Sequence, residues 1–293
     1  MALITVFTPT YNRADTLSRT YGSLLRQTCK DFEWLIVDDG STDSTSGIVA
    51  TWIAENKIPI AYIRKENGGL HTGYNVAFEN ISTELNICVD SDDYLPDNAI
   101  EIIKKEWNRV ENKERLAGLI GLDFFLNDEP IGGEFRKTGD FHIYEMTQFH
   151  HGDTKIVCRT EVIKPFVPMP VFNGEKNFNP IYYYIQIDKD YKFRLLNENL
   201  CYVDYQPTGM SANILRQYRN SPRSFAQLRR LYMSMPYYSW KTHFRNAIHY
   251  VSSCMFSRQW NGLARSPRPI LCAVAVPFGI MLNLYIRYKT RSR

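Results

Sequence analysis

Residues 88–96 read CVDSDDYLP and place three carboxylates, Asp90, Asp92 and Asp93, directly behind an apolar run. Carboxylates this close raise one another's pKa unless a cation or hydrogen-bond donors compensate. Asp90 and Asp92 flank the small Ser91, so both can reach one point and form part of an oxygen-rich site for Mg or Mn, usually completed by phosphate oxygens. The alternative is an acidic turn ahead of a helix, whose N-terminus welcomes negative charge. A second pair, Asp38-Asp39 in WLIVDDGS, also ends an apolar run and can accept hydrogen bonds from a base or ribose. Two such clusters at neighbouring strand ends favour a metal and nucleotide site over the turn.

The elements that must position these residues are legible over the first 122 positions. Apolar runs of strand length occur at 3–7, 34–37, 60–63, 85–89 and 116–122. Between them, 15–27, 44–56, 71–80 and 97–108 carry apolar residues at helical spacing. Asp15 and Asp43 stand where N-caps belong, and Pro96 suits a helix entry. This alternation predicts an α/β fold, a mostly parallel sheet with helices on both faces. Such sheets bind ligands at the carboxyl ends of their strands. The strands here are followed by TPTYN, DDGS, RKENGG and DSDD, so polar, glycine-bearing and acidic residues collect on one sheet edge.

The chain has 293 residues and a formal charge of +4, too small to argue for nucleic acid. Its acidic clusters lie in the first half and its last seventy-odd residues are rich in Arg. Six scattered cysteines without CxxC pairing point to buried free thiols in a reducing compartment. MALITVFTPTYN lacks a basic leader and a long apolar core, and reads as a first strand rather than a secretion signal. Residues 123–215 are predicted to add two or three short strands, near 156–159 and 193–205, and a helix near 181–191. Residues 216–262 read as helical. The run PILCAVAVPFGIMLNLYI at 269–286, with basic flanks at Arg265, Arg268, Arg287, Lys289, Arg291 and Arg293, suits an interfacial anchor at an anionic surface. A terminal helix packed on the domain is the other reading.

TPTYNRADTL, WLIVDDGSTDST, ENGGLHTGYN and VDSDDYLPDNAI, in this order, closely resemble the inverting nucleotide-sugar glycosyltransferases of family 2, of GT-A fold. GDTKIVCRTEVIKPF, VFNGEKNF and YKFRLLNENLCYVDY are similar to the acceptor-side half of bacterial polysaccharide-synthesis members. The resemblance implies a GT-A domain over 1–215, split into a nucleotide-sugar half (1–122) and an acceptor half (123–215), followed by an Arg-rich helical region over 216–293. It implies that Pro9, Thr10 and Tyr11 line the nucleotide pocket, that Asp39 meets the base, usually uracil, and that Asp90, with Ser91, lies against ribose or diphosphate. Asp92 would hold the divalent metal, Mn or Mg. Asn67–Asn75, including Gly69, would wrap the nucleotide, with His71 either a phosphate contact or a solvated helix-start residue.

Inverting transfer needs a base to take the proton of the acceptor hydroxyl. The resemblance points to Glu175, in NGEKNF, with Asp153, in HHGDTK, as the second candidate. Relatives commonly follow with Pro-Glu, where this chain has Asn179-Pro180. His150 and His151 are neighbours that face opposite ways in a strand, which argues against a shared metal. The aromatic run Tyr182-Tyr183-Tyr184 reads as core, or as a surface that stacks a sugar or touches a lipid carrier. The expected partners are a nucleotide-sugar donor, a lipid-linked or saccharide acceptor and a membrane contacted through 265–293, at the inner face of the plasma membrane. A sugar nucleotidyltransferase is the competing enzyme, but TPTYNR lacks the glycine-rich phosphate loop such enzymes usually carry. A carbohydrate-binding relative without catalysis is the third reading.

Overall fold

A computed structural model describes residues 2–205 and 213–291. The chain divides into two compact units, Met1–Pro168 with Gln186–Tyr205, and Met169–Ile185 with Gln206–Arg293. Segment 169–185, which the sequence groups with the first 215 residues, therefore clusters with the C-terminal helices.

The first unit is built on an eight-stranded sheet of order β3-β2-β1-β4-β7-β5-β8-β6. Its strands are β1 (Ile4–Thr10), β2 (Phe32–Asp38), β3 (Ile60–Arg64), β4 (Leu85–Cys88), β5 (Leu116–Phe124), β6 (Gly139–Phe141), β7 (Thr154–Arg159) and β8 (Lys192–Tyr202). The helices α1 (Ala14–Arg26), α2 (Thr45–Glu55), α3 (Leu70–Asn80) and α4 (Ala99–Asn108) alternate with β1 to β5, as the periodicity predicts. β1 is buried at every position, which is what coverage of both faces requires. Trp34, Trp107, Leu17, Leu24 and Ile103 fill the core on one side.

The strands β3, β2, β1 and β4 run parallel. Their register aligns Thr10 with Asp38, and Asp38 with Arg64, so the loops after them emerge at one edge. β5 does not continue that parallel set directly. β7 inserts antiparallel between β4 and β5. Its first residue, Thr154, pairs with Leu122, near the carboxyl end of β5, so Asp153 enters at the edge where the parallel strands end. Gly118 permits the β5–β7 approach: its φ is +151°, and a Cβ there would stand 1.9 Å from the Val157 carbonyl oxygen.

Both expected caps differ, and the N-cap of α2 is Ser44, one residue after Asp43. Asp15 lies inside the first turn of α1, whose N-cap is Arg13, and the Ala14 N–H is accepted by the Asp43 carboxylate instead. Asp43 also accepts the Thr45 N–H at the start of α2, so one side chain serves two helices. α5 (Ile143–Met146), α6 (Thr160–Ile163) and α7 (Ile181–Ile187) complete the irregular middle of the chain.

The second unit contains α8 (Ile214–Asn220), α9 (Pro222–Ser234), α10 (Trp240–Ser257) and α11 (Pro269–Lys289). Met233, Ala247, Tyr250, Val251, Cys254, Cys272 and Ala275 form its core. Tyr183 is fully buried and its hydroxyl accepts the Met169 N–H, so the tyrosine run supplies core.

Candidate active site

Asp39 follows β2 at the carboxyl edge, and its N–H donates to the Thr10 carbonyl. Its carboxylate gathers the loop after β3. One oxygen accepts Lys65 Nζ at 2.6 Å and the Gly68 N–H at 2.9 Å. The other accepts the Gly69 N–H at 2.7 Å and Asn67 Nδ2 at 3.1 Å. Gly69 has a φ of +95°, which favours glycine, and it is also the N-cap of α3. One buried carboxylate thus fixes the glycine turn and the start of the helix that carries His71. His71 is fully buried, so it is not a solvated helix start. Asn12 completes this wall. With φ +51° it turns the chain after β1, and its Oδ1 accepts the Thr42 N–H at 2.8 Å. Pro9 and Thr10 are buried in β1, and Tyr11 is exposed beside Asn12.

The acidic turn after β4 is held from both sides. Arg19 Nη2 donates to the Asp92 carbonyl at 2.9 Å, and Thr20 Oγ1 to the Asp93 carbonyl at 2.7 Å. Tyr94 exchanges backbone hydrogen bonds with Tyr202 and stacks on its ring. The three aspartates fare differently. Asp93 is buried, and Lys155 Nζ stands 3.8 Å from it and 3.8 Å from Asp123. Burial raises both carboxyls, Asp93 to about 7 and Asp123 to about 6, against the opposing pull of Lys155. Lys155 is itself held well above its ordinary value by Asp123 and its neighbours, although burial acts the other way. Asp204 is paired with Arg19 at 2.9 Å. Asp92 is raised by burial and then by the charge of Asp90, and neither Asp90 nor Asp92 is ion-paired among the described residues.

Two unneutralised carboxylates at one turn, flanking the buried Ser91, fit a divalent cation. Among the described residues no three Asp, Glu, His or Cys side chains converge as a cage. The donor set therefore suits an ion whose remaining ligands come from phosphate and water.

Asp153 is exposed at the same edge, and the Tyr205 hydroxyl donates to its carboxylate. Its carbonyl accepts the Asp123 N–H. Glu175 belongs to the other unit and is buried. One of its oxygens accepts the Arg223 N–H at 2.9 Å and Nε at 3.0 Å. The other accepts the Ser224 N–H and hydroxyl. The carboxylate thus caps α9. His150 is buried against Phe135, 4.6 Å between centroids, and His151 is exposed. Lys155, Asp123, Asp204 and Asn12 are site residues that motif reading passes over.

Residues 5–112 match the profile of the family described as Glycosyl transferase family 2. Residues 5–112 carry the family 2 glycosyltransferase domain. The sheet and its flanking helices have the GT-A fold, which similar solved structures share. TarS of S. aureus in complex with UDP-GlcNAc superposes with a TM-score of 0.62 at 17% identity, covering 99% of this chain and 92% of that one. The mannosyltransferase PcManGT of Pyrobaculum calidifontis, in complex with GDP-Man and Mn2+, gives 0.56 at 15%, covering 99% and 76%. Among curated proteins, glycosyltransferase GlyA of Streptococcus pneumoniae is 37% identical over 163 residues, 56% of this chain and 23% of GlyA. Validoxylamine A glucosyltransferase of Streptomyces hygroscopicus is 46% identical over 77 residues, 26% of this chain and 17% of that protein. The chain thus spans less than a quarter of the length of either relative.

Proposed function

We propose that this chain is an inverting glycosyltransferase that moves a sugar from a nucleoside-diphosphate donor, a UDP-sugar, to a hydroxyl of a lipid-linked saccharide in bacterial surface polysaccharide synthesis. The observation that carries the reading is that Asp90 and Asp92, on the sheet edge that Asp39 also lines, have no ion-pair partner among the described residues. The UDP-GlcNAc bound by TarS supports a uridine donor, and the GDP-Man of the mannosyltransferase marks the alternative base.

In this reading the Asp39-anchored loop and the end of β1 receive the nucleotide, and Lys65 is the donor on Asp39 that a uracil N–H would replace. Asp90 faces ribose or diphosphate. Asp92 would hold Mn or Mg, whose charge would offset that of the leaving diphosphate. Asp153 takes the proton of the acceptor hydroxyl, and the Tyr205 hydroxyl orients it. Attack opposite the leaving group inverts the anomeric centre. Glu175 is left to a structural role, because four hydrogen bonds occupy its lone pairs. The enzyme would work at the inner face of the plasma membrane.

Thermal shift with UDP and Mn, alongside a panel of UDP- and GDP-sugars scored for slow hydrolysis, tests the proposal. UDP with Mn should raise the melting temperature, and Asp92→Ala should abolish the metal-dependent part. Equal shifts in both proteins would remove the metal assignment. Asp153→Asn should keep UDP binding and lose turnover, and unaltered turnover would move the base elsewhere.

A further inference from the structure

The C-terminal unit has an unusual charge inventory. Fourteen Lys and Arg residues follow Asp204, and no Asp or Glu does. The one acidic side chain in the unit is Glu175, already bonded to α9. The unit is therefore strongly cationic without compensation, while the rest of the chain holds the other 30 Asp and Glu residues.

Within this unit α11 has two unlike faces. Cys272, Ala275, Gly279, Asn283 and Ile286 are buried. Gly279 lies against α10, where a Cβ would stand 2.5 Å from Val251. Asn283 donates to the Ser252 carbonyl at 3.1 Å and accepts from Arg287 Nε at 2.7 Å. The opposite face shows Ile270, Val274, Phe278, Met281, Leu284, Tyr285 and Tyr288, from 45% to 81% exposed, at helical spacing. From Ile270 to Tyr285 this stripe contains no charge, about 22 Å at 1.5 Å per residue. Arg265 and Arg268 precede it, and Arg287, Lys289 and Arg291 follow. Soluble surfaces rarely leave so long an apolar strip uncovered.

We propose that this face of α11 docks on an anionic bilayer, with the helix lying in the plane of the interface rather than crossing it. The inference deepens the membrane-side reading above and names the surface that makes the contact. Both chemical halves of such a site are present: an apolar stripe to enter the acyl boundary, and cations at its two ends to meet acidic headgroups. By length and composition alone α11 could span, with a mean hydropathy of 2.0 over eighteen residues. Its inward face argues against that. Spanning would carry Asn283, Ser252 and the Arg287 guanidinium, or the whole of α10 with Lys241, Arg245 and His249, into hydrocarbon.

The test is sedimentation of the full chain with vesicles of phosphatidylcholine alone or mixed with phosphatidylglycerol, at low and high salt. Binding should require phosphatidylglycerol and weaken with salt. The pair Val274→Glu and Met281→Glu should lower partitioning about ten-fold or more, since both side chains lose apolar burial, while UDP binding stays unchanged. Loss of vesicle binding with intact UDP binding supports the surface, and loss of UDP binding would count against the nucleotide-sugar reading alone. Unchanged vesicle binding in the pair overturns the proposal, as does a wild-type dimer that the pair dissociates without any vesicle affinity. Fluorescence quenching in Phe278→Trp and Tyr288→Trp proteins, relative to the parent, needs no destabilising change. Shallow brominated lipids should quench both increments best, and deep quenching at 278 would mean a span and overturn the in-plane geometry.

Discussion

The carboxylate of Glu175 takes both hydrogen-bond donors of Ser224, the backbone N–H at 2.8 Å and the hydroxyl at 2.7 Å. α9 begins at Pro222, and its N-cap Ser221 makes no side-chain cap. Glu175 does that work from a distant loop, and its charge suits the positive end of the helix.

Glu175→Gln should therefore act on stability. Hydrogen bonds to a charged group are each worth roughly 1.5–3 kcal/mol, and partial retention by the amide leaves an expected loss of about 2 kcal/mol. Donor hydrolysis below the melting transition should stay near the wild-type rate. Lost turnover with an unchanged melting curve would restore Glu175 as the base.

Asp39→Asn replaces an acceptor-only group with one that must turn a donor toward Gly68, Gly69 or Lys65. The loop should loosen, with faster hydrogen exchange at the amides of Gly68 and Gly69. UDP affinity should fall about ten-fold, the equivalent of one charged hydrogen bond. Slow exchange at both amides in the variant would show that Asp39 does not hold the turn.

Lys155→Met should be costly in a pH-dependent way. Asp93 and Asp123 have folded values of about 7 and 6, above the ordinary 3.8, so the folded state binds their protons more tightly than the unfolded chain. Their contribution to stability thus falls as pH rises from about 4 to 7. Without Lys155 both values rise further and the window extends upward. The loss should be about 3 kcal/mol at pH 8 and clearly smaller at pH 5. Denaturation at both pH values checks this, and a loss that grows on acidification would contradict it.

Gly118→Ala should break the β5–β7 junction, because its Cβ would overlap the Val157 carbonyl and the φ of +151° is itself unfavourable. A loss of roughly 3 kcal/mol or more is expected in urea titration. A soluble variant with wild-type stability would mean that the strands separate easily there.

The first four strands and helices were legible because each is a local pattern with its own turn chemistry. That pattern also brought DDGS, ENGG and DSDD to one edge. The insertion of β7 between β4 and β5 was not legible, since pairing Leu119 with Val157 depends on a long return of the chain. Lys155 was invisible for the same reason. In sequence it is one polar residue in an apolar strand, and its meaning comes from Asp93 and Asp123, each supplied by a different loop or strand. Glu175 shows the converse: its motif context suggested chemistry, and its hydrogen bonds come from residues 48 and 49 positions further on.

The seating of Gly279 on Val251 bears on how the protein can be handled. Cutting the chain ahead of α11 to gain solubility would uncover Val251, Tyr250 and Cys254, and would leave the Ser252 carbonyl without the amide of Asn283. The shortened protein would exchange one apolar surface for another. Polar replacements along the outward stripe are the gentler route to a tractable sample, because they leave the inner seam intact.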